Sequence, residues 1–307
     1  MHDQAPATGP LGRRTPRERW AASVAAADRW QQAHRGLAVA VAVVRKFGDD
    51  RGGSLAALFA YYGFLAVFPL LLVLTTVLGF VGNDRLEHHV IGTALHQFPV
   101  VGDQIGATAA HPLHGSGLGL VVGLLGLLYG SLGIVQIAQR ALADVWDVPE
   151  DDRPGFAGRL GRGLAFLAAL AVALLASSVL AGLATGGGSR GPAMRVGLLA
   201  VELAVAVGLM LVAFCILTPI RTSWRTMLPG AVVAGLAYAG LVVLGAALVQ
   251  HQLRRAQAVY GQFAFVLGLL GWLVLVSQVT LYGAELNVVL HRHLWPRLLV
   301  GGEAEPP

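Results

Sequence analysis

From Tyr260 to Leu290 the chain runs for 31 residues with a single formally charged side chain, Glu285. Few features restrict folding as severely. Hydrocarbon supplies no hydrogen-bond partners, so such a run crosses a bilayer as an α-helix whose backbone satisfies itself. Five further apolar runs predict the same, over 54–81, 116–142, 163–184, 194–219 and 227–250. Of 17 acidic residues, only Glu202 and Glu285 fall inside these runs. Charged residues make up 13% of the chain, against about 25% in a soluble domain. Mean hydropathy is +0.65. The fold class expected is therefore an all-α membrane protein, a six-transmembrane-helix bundle.

The remaining charges set its orientation. Seventeen of the 22 Lys and Arg residues fall before Ser54, in or beside the second connection, in the fourth, or after the last run. Five fall on the other side. The positive-inside rule then places both termini in the cytoplasm. An isoelectric point near 9.9 would suit nucleic acid, but the basic residues sit at span ends, where the membrane accounts for them. Membrane lipids are the expected partners and nucleic acid is not. A homo-oligomer or an envelope protein would be compatible with the same surfaces.

The sequence divides accordingly. Residues 1–19 read as a disordered basic tail with no apolar core of a cleavable signal. Residues 20–53 read as a cytoplasmic, amphipathic, interfacial helical segment. The six-span domain covers 54–295, with an outer loop at 82–115, and 296–307 form a C-terminal tail. Within the outer loop, "EHHVIGTALHQF" predicts a short amphipathic surface helix.

Several segments carry a resemblance. "LAALFAYYGFLAVFPLLLVL" (55–74), "ALADVWDVPEDDRPGF" (141–156), "MLPGAVVAGL" (227–236) and "AVYGQFAFVLGLLGWLVLVSQVTLYGAELNVV" (258–289) resemble, in this order, segments of the YihY/BrkB family of bacterial inner-membrane proteins. The likeness covers about Leu37 to Trp295. It implies six spans with both ends inside. It implies no catalytic residues, although members often carry the label ribonuclease BN. Other members are linked to serum resistance, envelope lipid export or solute transport.

No catalytic constellation stands out. H-E-x-x-H, C-x-x-C, G-x-S-x-G and Walker patterns are all missing from the sequence. The acidic group Asp144, Asp147, Glu150, Asp151 and Asp152 reads as a solvated loop beside Arg153. Neither a metal nor a cofactor is expected, and the chain is not expected to be an enzyme.

Polar residues inside spans are the sharper signal, because lipid makes them costly. "LYGSLGIVQIAQR" (128–140) and "LYGAELNVVLHR" (281–292) each place an Arg near the inner end, with Tyr-Gly upstream. Tyr129, Gln136 and Arg140 form one helical stripe; Gln278, Tyr282 and Glu285 form another. The two stripes are expected to face each other, with Glu285 within reach of Arg140 or of a bridging water. Glu202 in the fourth span and Pro69, a hinge candidate in the first, complete the set. These residues either line a path for a lipid or amphiphilic solute, as in a transporter or flippase, or glue helices in a non-catalytic structural or assembly protein of the envelope.

Overall fold

The computed structural model describes residues 28–81, 117–185, 192–220, 222–248 and 263–297. The outer loop 82–115 with its expected surface helix, residues 1–19 and residues 298–307 lie outside the described residues, as does the connection 249–262.

Every regular element among the described residues is helical. A short helix, α1 (Arg35–Asp49), precedes six long ones: α2 (Gly52–Val81), α3 (Gly117–Val145), α4 (Phe156–Thr185), α5 (Pro192–Leu217), α6 (Trp224–Leu248) and α7 (Phe263–Arg292). A 3-10 turn, Glu150–Asp152, links α3 to α4. The long helices hold 25 to 30 residues. At about 1.5 Å per residue they exceed the roughly 30 Å of bilayer hydrocarbon. Four contain stretches both long and apolar enough to cross a membrane: Phe156–Ala173, Val196–Leu217, Trp224–Gly245 and Val266–Arg292.

Each long helix lies against the next in sequence, and α7 returns to α2, so the six form a ring. The α3–α4 seam is its thinnest and α2–α3 its broadest. Small residues set the broad seam. A Cβ added to Gly130 would stand 3.0 Å from the Ala66 backbone, the kind of approach that small residues permit between helices in lipid. Pro69 falls within α2, which runs on through it; its side chain lies outside the described ones.

Among the described side chains, the core gathers at one end of the ring. Val135, Ala138, Leu142, Phe214, Leu217, Met227, Ala231, Leu281, Ala284 and Val288 belong to one buried cluster. These residues come from the C-terminal parts of α3, α5 and α7 and the start of α6. This is also the end that carries Lys46, Arg153, Arg162, Arg292 and Arg297.

Candidate functional site

Helix α1 is amphipathic by spacing. Ala38, Ala42 and Lys46 recur every four residues and are all buried, whereas Val44 on the far side is 59% exposed. Positions four apart share a helical face, so the apolar face of α1 carries the lysine inward with it. Ala42 and Val43 pack against Val289 of α7, with Tyr282, Leu286, Leu294 and Trp295 around them. Phe47 stacks on Tyr282, with ring centroids 4.1 Å apart and planes 18° apart. This docking delivers an ammonium to the buried side of the last long helix.

Three carboxylates surround it. Lys46 Nζ lies 2.5 Å from Asp50 Oδ2, 3.6 Å from Glu285 Oε2 and 3.9 Å from Asp147 Oδ2. Arg292 Nη1 donates to Asp147 Oδ2 at 2.6 Å, and its other Nη donates to the Trp146 carbonyl. Asp147 sits in the left-handed region at φ 50° just past the end of α3. There the Val148 N–H closes back on the Ala143 carbonyl at 2.9 Å, the reversal that ends many helices. Asp tolerates that conformation better than most residues, and the turn aims its carboxylate at both cations.

Glu285 is the exceptional member. It is 0% exposed, and neither carboxylate oxygen has a hydrogen-bond partner. Its stabilisation by Lys46 is a 3.6 Å ionic contact that the lysine shares with a nearer aspartate. An ionised carboxylate removed from water is costly unless it is paired and hydrogen-bonded. This one is paired only in part. Moving α1, or placing a proton or a cation at Glu285, would change the balance of the whole cluster.

A second tier of contacts ties α1 down. Arg297 Nη1 donates to Asp49 Oδ2 at 2.8 Å, and Gln31 Nε2 donates to the Arg297 carbonyl at 2.7 Å. The Arg35 guanidinium lies over the Trp295 ring, 4.9 Å from its centroid. Behind the cluster, α6 and α7 cross at Gly230 and Gly283. The Gly230 N–H donates to Asn287 Oδ1 at 2.7 Å in a buried setting, and a Cβ on Gly230 would run into the Gly283 carbonyl. The "MLPGAVVAGL" and "YGAELNVV" segments are therefore two sides of one contact.

The expected stripes separate here. On α7, Glu285 is buried and Gln278 and Tyr282 are half-buried. On α3, Tyr129 is 78% exposed and Arg140 is exposed, while Gln136 is half-buried. The expected Glu285–Arg140 pair is not formed: the cation within 4.0 Å of Glu285 is Lys46. The reason is rotational. The buried face of α3 runs through Val135, Ala138, Gln139 and Leu142, which turns Arg140 outward. Glu202 is exposed on α5, near enough to α6 for its charge to act on Tyr238. The sequence reading missed Lys46, Asp50, Asp147 and Asn287. A signal for Lys46 existed, since the apolar spacing of 38 and 42 continues into it.

A family model described as virulence factor BrkB matches residues 43–305. No curated protein and no solved structure matches the chain.

Proposed function

The chain belongs to the virulence factor BrkB family, and from that premise we propose that it is a carrier in the bacterial cytoplasmic membrane, moving a lipid or an amphiphilic solute. In this reading six spans cross the membrane, both termini are cytoplasmic, and the basic end of the ring faces inward. The 17-to-5 division of Lys and Arg supports that orientation. No step of bond-making chemistry is assigned to the protein.

The observation that carries the reading is Glu285 with its incomplete partnership. A buried ion pair stabilises no better than well-packed apolar residues in many proteins, so its retention argues for a role other than stability. Here the pair joins the amphipathic helix to a ring helix. Opening that contact would expose charge at the inner end of α7, and closing it would bury the charge again. A carrier needs two such states that differ by a few kcal/mol at most. The second reading, a non-catalytic assembly protein of the envelope, draws support from the outward exposure of Tyr129 and Arg140, since these residues then face lipid or a partner instead of a path.

Proteoliposomes loaded with fluorescent lipid analogues test the choice. In a carrier, Glu285→Gln slows lipid movement while the amount of folded protein holds. In an assembly protein, no movement above that of empty liposomes occurs with either form, and the substitution changes only folded yield. Glu202→Gln is the second arm: loss of movement there as well would extend the path onto α5.

A further inference from the structure

A cleft of about 710 Å³ opens at the basic end, where the second turn of α4 meets the last turn of α5 and the connection after it. Its wall includes Arg162, Thr218 and Thr222 on the polar side and Cys215, Ile216 and Ile220 on the apolar side. Among the described residues no carboxylate lines it. The volume falls within the range of small-molecule sites, about 300–1,000 Å³. None of the residues in the charge cluster around Glu285 contributes to it.

The chemistry of this wall selects its ligand. Arg162 is half-buried, and one Nη–H is spent on the Thr218 carbonyl at 3.3 Å. That bond fixes the guanidinium at the cleft, and its remaining N–H groups suit the paired oxygens of an anion. Thr218 is 2% exposed, and its hydroxyl has no hydrogen-bond partner. A buried hydroxyl without a partner is unfavourable, so a small shift that meets a ligand oxygen is favoured. Ile216 and Ile220 add apolar lining to the site. One fixed cation, hydroxyls and an apolar wall at the end of membrane-length helices suit a group that is anionic at one end and hydrocarbon at the other.

We propose that this cleft binds the phosphate group of a phospholipid, with Arg162 as its anion contact and the acyl chains leaving past Ile216 and Ile220. The proposal depends on the membrane placement of the helices and not on whether the protein moves lipid. A resident lipid in an assembly protein would fit it equally, and the binding experiment below is independent of the transport experiment above.

Cys215 makes the site measurable, because it is the only cysteine in the chain and its side chain is exposed at the cleft. The full-length protein in a neutral detergent is labelled with a maleimide dye, with and without phosphatidylglycerol. At lipid ten times its Kd, labelling of Cys215 should slow about tenfold, in proportion to the free fraction. Diacylglycerol, which lacks the phosphate, should not slow it. Arg162→Gln should abolish the protection and Arg162→Lys should keep part of it. Thr222→Asp, at the half-buried edge of the cleft, provides a variant that leaves the helices untouched and repels an anion; it too should remove the protection. Inorganic phosphate is the remaining arm. Weak or no protection by it supports a lipid; protection equal to that by phosphatidylglycerol overturns the lipid assignment in favour of a soluble phosphate. Equal protection by diacylglycerol, or unchanged protection in Thr222→Asp, overturns the phosphate site altogether.

Discussion

Between Leu281 and Val289, α7 buries seven of nine residues, a glutamate and an asparagine among them. Along α5, Val196, Leu199 and Val201 stand 48% to 65% exposed, and Val172 of α4 is 67% exposed. Both regions are helical, and both carry stretches long and apolar enough to span a bilayer. The difference lies in what holds them. Lipid tails are as apolar as leucine, so no hydrophobic drive brings α4 and α5 under cover. At the end of α7 the attraction is of another kind: close backbone approach at Gly230 and Gly283, an amide accepting a backbone N–H, and an ammonium among carboxylates. Hydrophobicity sends these helices into the membrane, and small and polar residues decide which of them meet.

Four substitutions would break or sharpen that contrast. The largest effect is expected from Lys46→Met, which leaves the buried Glu285 and the half-buried Asp50 beside no ammonium. Removing one partner of a buried pair costs about 3–5 kcal/mol, and unfolding in mixed micelles should show it. A loss below about 1 kcal/mol would mean that Glu285 is held neutral and does not need the lysine. Next comes Gly230→Ala, whose Cβ would run into the Gly283 carbonyl first and the Asn287 amide next. It should cost about 3 kcal/mol, the upper part of the overpacking range, and a neutral result would place the α6–α7 crossing elsewhere. Asn287→Ala should follow at about 2 kcal/mol, since it strands a buried backbone N–H. The same unfolding assay reads it, and combined with Gly230→Ala it should be less than additive, because the two share one contact. The smallest effect belongs to Val172→Ala on the exposed side, within about 0.5 kcal/mol. A cost several times larger would reveal that something other than lipid covers α4.

Much of the fold was legible as apolar length. The runs expected at 54–81, 116–142 and 194–219 lie within three residues of α2, α3 and α5 at either end. For α4 the expected start at 163 falls seven residues late, because Arg159 and Arg162 interrupt the apolar pattern while the helix continues through them. The amphipathic segment expected over 20–53 contains α1 at 35–49. Glu285 stood out as anomalous and is buried at 0% exposure. Its partner did not stand out. Helical spacing assigns residues to a face of their own helix, but it does not say which neighbour that face meets. Tyr129 and Arg140 share a face as their spacing requires, and that face turns away from α7. Lys46 was hidden for a different reason. It lies in a segment read as resting on the membrane surface, where a lysine is expected to be wet, and only tertiary packing takes it out of water.

That packing has a temporal side. Lys46 lies in α1 and Glu285 in α7, so most of the sequence separates the two charges. During synthesis the lysine has Asp50 beside it from the outset, but Glu285 emerges only when all the earlier helices exist. The same holds for Asp49, whose contact Arg297 lies beyond even α7. The amphipathic helix therefore cannot reach its final seat until α7 and Arg297 have been synthesised. A chain cut before Glu285 would leave Lys46 without Glu285 and Asp49 without Arg297, with both charges on α1 short of a partner.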